Sequence, residues 1–182
     1  MCFVRQSTFQ KYIVIFWWFV FATAFGATEA ALVVYVRRLL GWEVGLDYRE
    51  LLTARGMTLD ATAFTRLFHQ EGLLKLETAR ETGTIFLLVG AAMAAGRTWR
   101  ERWGVFWLTF SIWDLTYYLF LKLFIDFPRT LNATDVYFLI PITWYGPVWF
   151  PVCIVMPLLL ILGLWLLLTP GPYSERTPTD AR

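Results

Sequence analysis

Seven residues in this chain have the chemistry to act and an unusual place to do it. Glu29, Glu77, Arg80, Glu81, Asp114, Tyr117 and Tyr118 lie inside or against long apolar runs. Asp114 is the clearest case, in the middle of "TFSIWDLTYYLFLK", residues 109–122. Helical spacing puts Asp114 and Tyr118 on one face (i, i+4) and lets Glu77 meet Arg80 (i, i+3). Glu77 and Glu81 (i, i+4) repel unless a cation or proton intervenes. Such a set can exchange protons as a general acid or base tuned by burial. It can also bind a hard cation through oxygen, or simply bolt helices together. An unpaired charge at bilayer depth costs at least about 3 kcal/mol, so these groups are expected to face one another or water, not lipid.

The surroundings are those of a polytopic membrane protein. Of 182 residues, 58% are hydrophobic, 19% aromatic and only 16% charged, against about 25% charged in soluble domains. Mean hydropathy is +0.53. A scattered net charge of +2 gives no footprint for nucleic acid. Cys2 and Cys153 suggest neither a disulfide nor a redox motif. The first apolar run is too long for the core of a signal peptide.

The expected fold is all-α: a single transmembrane domain over 1–168, a four-helix bundle with spans near 12–36, 73–96, 103–122 and 151–168, then a flexible tail over 169–182. Ala22, Gly26 and Ala30 have the small-xxx-small spacing of close helix contact. Residues 37–72 read as short interfacial amphipathic helices, with Asp60 as an N-cap. The uncharged stretch 82–96 is too short to cross a bilayer, so its helix must extend back through Glu81, Arg80 and Glu77. The Pro-rich stretch before the last span, with Pro141, Pro147 and Pro151, is expected to be irregular rather than a plain helix. Counting about 1.5 Å per residue from the terminal side puts Glu29 about 25 Å up, Glu81 about 22 Å and Asp114 about 16 Å. Three helices thus present polar groups in one layer. Trp113, Trp144, Tyr145 and Trp149 are candidate ligand or lipid contacts above it.

Several chemistries have no support. One histidine, His69, excludes bis-His haem and a paired Glu-x-x-His di-iron site within the chain. No nucleophile elbow, phosphate loop, dinucleotide fingerprint or CxxC is present. No catalytic residue, cofactor or metal is assigned.

"IWDLTYYLFLK" followed by "DVYFLIPITWYGPVWFP" resembles a group of uncharacterised bacterial four-span membrane proteins with WD-x-x-YY, D-x-x-FLIP and W-x-GPV motifs. The matching positions are Trp113, Asp114, Tyr117, Tyr118, Asp135, Phe138–Pro141, Trp144 and Gly146–Val148, and "ETARETGTI" is similar too. The resemblance covers the C-terminal 60% or so of the chain. It implies a four-helix membrane fold and no activity.

The function favoured at this level is a non-catalytic subunit or assembly component of a larger membrane complex. The alternatives are an intramembrane enzyme acting on a lipid or isoprenoid and a proton or cation carrier working as an oligomer. Expected partners are membrane lipid and either other subunits or a second copy, with no nucleic acid. The expected location is a bacterial inner membrane, with the Arg-dense 97–102 turn and both termini in the cytoplasm.

Overall fold

The computed structural model describes residues 8–39, 41–42, 45–70 and 72–169; the expected tail beyond Thr169 lies outside the described residues. Among the described residues, six α-helices occur in chain order: α1 (Thr8–Leu39), α2 (Tyr48–Ala54), α3 (Ala61–Gln70), α4 (Leu74–Ala95), α5 (Trp99–Ile125) and α6 (Met156–Leu168). Three helical segments among the described residues are long and apolar enough to cross a membrane: Gln10–Leu39, Trp99–Ile125 and Phe150–Leu168. The protein is therefore membrane-associated.

One part of the all-α expectation is corrected. Residues after α5 form a two-stranded antiparallel hairpin, β1 (Thr134–Phe138) and β2 (Trp144–Pro147). Thr134 pairs with Pro147, Asp135 with Gly146, Val136 with Tyr145 and Phe138 with Trp144. The prolines deny this stretch a helical ladder, and its β-branched and aromatic residues suit a pleated surface. The stretch is thus ordered, not irregular. Gly146 is needed there: a Cβ would lie 2.6 Å from the Tyr137 hydroxyl, which donates to the Pro147 carbonyl at 2.8 Å. Pro151–Val155 then makes a π-helical turn into α6, with the Met156 N–H bonded to the Pro151 carbonyl. The wider turn accommodates Pro157, whose ring would crowd the Cys153 carbonyl in a regular helix.

α5 is the central element, packed against α1, α4 and α6. Close approach is written in small residues. Ala22 and Ala30 are fully buried, and a Cβ on Gly26 would stand 2.7 Å from the Trp113 carbonyl oxygen of α5. Across the α5–α6 seam, a Cβ on Gly163 would stand 2.6 Å from the Leu108 nitrogen. A core of Leu88, Val105, Leu108, Ile112 and Trp113 fills this part of the molecule.

The connection from α1 to α4 forms a folded cap. Asp47 starts α2 with a reciprocal capping box, accepting from Glu50 N–H at 2.7 Å. Asp60 starts α3, accepting from Ala63 N–H at 2.8 Å. The exposed Asp60 carboxyl is held below its usual range, first by the Thr62 hydroxyl. Trp42, Tyr48, Leu52, Leu67 and Phe68 pack with Leu139 of the hairpin region. Cap and hairpin together close one end of the helices.

Candidate functional site

The buried stripe of α4 consists of Glu77, Glu81, Thr84, Leu88 and Ala92. Its apolar half joins the core; its polar half faces α1, α5 and the hairpin. Arg80 pairs there with Glu29 of α1 through Nη1 and with Glu77 of its own helix through Nε at 2.9 Å. Glu29 uses both oxygens, because Thr84 donates to Oε1 at 2.8 Å. Glu81 accepts the Leu139 backbone N–H at 2.8 Å and so ties the hairpin to α4. Glu29 and Glu81 each hold two parts of the chain together, and Glu77 fixes the Arg80 guanidinium within α4.

A cavity of about 40 Å³ adjoins these groups, lined by Glu29, Arg80, Glu81 and Thr84 on one side and Asp114, Tyr117 and Tyr118 on the other. Its volume has room for about three waters. Trp113 forms part of its wall, and Val136, Tyr137 and Phe138 of β1 form its roof. Asp114 differs from the other acids: its Oδ2 is buried and has no hydrogen-bond partner among the described residues.

Of the seven sequence candidates, all but Glu77 line this cavity, and Glu77 joins it through Arg80. Of the four aromatic candidates only Trp113 lines it. Trp144, Tyr145 and Trp149 lie elsewhere, because β1 supplies the inward strand and β2 lies behind it. Trp144 is 55% exposed, Tyr145 packs with the cap cluster, and Trp149 stacks edge-on with Phe150.

Sequence reasoning left out a second polar group above the cavity. Arg37 (3% exposed) and Asp135 (2% exposed) are both buried beneath the cap. The Arg37 guanidinium donates to the Leu46 carbonyl at 3.0 Å and lies over the Phe127 and Tyr48 rings at 4.7 and 5.1 Å. Asp135 lies within hydrogen-bonding reach of Tyr118 and in the field of Arg37. Burial pushes the Asp135 carboxyl up to about 6, against the pull of Arg37. Burial also raises Tyr48 and Tyr137 to about 12. A signal was present: Arg37 continues the inward face of Ala30 and Val34 (i+4, then i+3), whereas Arg38 does not.

Among the described residues, no group of three or more His, Cys, Asp or Glu is placed to hold a metal ion. Comparisons with family models, curated proteins and solved structures find no match.

Proposed function

We propose that this chain is a small four-span membrane protein that binds and exchanges a proton at Asp114, as a component of a larger membrane assembly. The observation that carries the proton site is the contrast among its acids. Glu29, Glu77 and Glu81 have cationic or backbone partners, whereas Asp114 keeps a buried, unpartnered oxygen beside a water-sized cavity. Asp135 Oδ2 is also unpartnered among the described residues, but Asp135 is outside the cavity lining and in the field of Arg37. A buried acceptor without a partner is costly, and a proton shared with cavity water satisfies it. The volume favours a proton or water over a lipid or isoprenoid headgroup as the species handled.

The fourth span is α4. Its 22 residues measure about 33 Å, enough for a core about 30 Å thick. Its paired charges face inward while Phe86 and Leu87 face outward. The resemblance of the 113–148 region to four-span proteins supports the same count. In this arrangement the helices alternate in direction, and the 97–102 turn lies on the cytoplasmic side of a bacterial inner membrane.

A different observation favours the assembly role. The outward surface of α1 is rich in aromatics, with Tyr12, Phe16, Trp17 and Phe19 exposed, whereas α6 presents Leu158, Ile161, Leu162 and Leu168 with one aromatic, Trp165. Aromatic side chains are enriched where proteins meet. This surface of α1 is the docking face for a partner helix. A shift to smaller native size in mild detergent for the Phe16→Ala/Phe19→Ala variant supports this, and an unchanged size contradicts it.

The proton site is tested by potentiometric titration of the purified protein in lipid nanodiscs. Wild type should take up one proton more than Asp114→Asn over the titration. Identical curves would refute the reading.

A further inference from the structure

The far end of the helices, where α1 and α5 begin and α4 and α6 finish, holds a second and larger cavity. It measures about 170 Å³ and has a polar mouth, Lys11, Arg97 and Glu101, above an apolar channel walled by Ile15, Trp18 and Leu167 among others. The neighbouring arginines have structural tasks. Arg100 donates to the Leu166 carbonyl at 3.0 Å and to Thr169, and lies over the Trp165 ring. Arg102 donates to the Gly96 carbonyl at 3.0 Å and lies over the Trp99 ring. Glu101 is the N3 residue of the α5 capping box, accepting from the Arg97 and Thr98 N–H groups at 2.8 and 3.3 Å. Its charge is thus directed at the helix N-terminus, where the macrodipole favours it. Lys11 and Arg97 have no carboxylate partner among the described residues.

Two cations therefore stand at the mouth of an apolar groove that begins where the spans leave the membrane. The geometry points to a binding site for an anionic phospholipid, with its phosphate between Lys11 and Arg97 and an acyl chain along Ile15, Trp18 and Leu167. Basic pockets between helices at a membrane face take such headgroups. Charge complementarity selects an anionic over a zwitterionic lipid, and the apolar channel selects a lipid over a free phosphate. The site is separate from the Asp114 cavity, and neither requires the other.

The test is native mass spectrometry of the full chain in detergent, titrated with phosphatidylglycerol or phosphatidylcholine. Each near-surface cation contributes about fivefold in affinity, so about twenty-five-fold for the pair. Phosphatidylglycerol should bind wild type more tightly than phosphatidylcholine by about that factor. Lys11→Gln/Arg97→Gln should remove the preference, and Lys75→Gln, which loses an exposed charge elsewhere on α4, should keep it. Equal binding of the two lipids by wild type overturns the proposal without any variant. So does an equal loss in Lys75→Gln, or displacement of the lipid by inorganic phosphate at matched concentration.

Discussion

Glu81 and Asp114 face the same cavity from opposite helices, yet only Glu81 has a partner: it accepts the Leu139 N–H, while the buried Oδ2 of Asp114 accepts nothing among the described residues. That difference separates the acids that hold the fold from the acid free to work. It also makes the two kinds of residue separable by mutation.

Arg80→Ala should cost far more stability than Asp114→Asn. Removing Arg80 leaves Glu29 and Glu77 buried without their cation, a loss of about 3 kcal/mol or more for a buried pair broken on one side. Asp114→Asn keeps the shape and removes a charge that has no partner, so its cost should stay below about 1 kcal/mol. Thermal unfolding of both variants in detergent measures the order. A reversed order refutes the division of labour between these groups.

The Glu81 anchor is predicted to control the hairpin. Glu81→Ala orphans the Leu139 N–H, which costs about 1–3 kcal/mol when buried. Glu81→Gln retains an acceptor. Hydrogen exchange over residues 136–147 should therefore quicken in the Ala variant and change little in the Gln variant. Unchanged exchange in Glu81→Ala would show that the hairpin is held by other contacts.

How much of this was readable beforehand varies by residue. The shared depth of Glu29, Arg80 and Asp114 followed from apolar run lengths and a fixed rise per residue. The small stripe at Ala22, Gly26 and Ala30 marked the face of α1 that meets α5. The hairpin was hidden because residues 136–150 are apolar and aromatic almost throughout. They lack the alternation that distinguishes a half-buried strand. Arg37 and Asp135 were missed for a different reason. Charges flanking a span normally mark its boundary, and these two are buried by parts of the chain distant in sequence: Arg37 lies against Leu46, Tyr48 and Phe127, and Asp135 is within reach of Tyr118. For Asp135 that is a tertiary effect with no local signature; for Arg37 the helical spacing from Ala30 and Val34 was the one local sign.

Gly26→Val should weaken the α1–α5 seam, since even a Cβ there meets backbone of α5 and the Thr116 hydroxyl. Overpacking of this kind costs about 1–3 kcal/mol. Gly83→Ala, where a Cβ meets nothing within 4 Å, should be neutral or stabilising by up to about 1 kcal/mol. Melting temperatures of the two variants test the contrast, and equal effects would place the seam elsewhere.

Asp135 carries a pH dependence of definite sign. Its carboxyl is raised from 3.8 to about 6 by burial, so the folded state favours the protonated form. The stability this confers is fully present below about pH 3.8 and is lost as pH rises through about 6. Arg37, Asp47, Tyr117 and Tyr118 share its surroundings, and the slope belongs to Asp135 only if Asp135→Asn flattens it. Unfolding midpoints of both proteins between pH 4 and 7 provide the comparison. A wild-type slope that persists in the variant would assign the effect to another group.

The central claim is that Asp114 binds an exchangeable proton. Infrared difference spectroscopy of the protein in lipid, stepped in pH, reads it directly through the carboxyl C=O stretch. In an Asp135→Asn background, which removes the other buried titrating carboxyl, the account predicts a protonated-carboxyl band that rises and falls with pH, shifts on exchange into heavy water, is missing once Asp114→Asn is added and is kept when Glu81→Gln is added instead. A band that survives in Asp114→Asn/Asp135→Asn, or the absence of any titrating carboxyl band in Asp135→Asn alone, would contradict it.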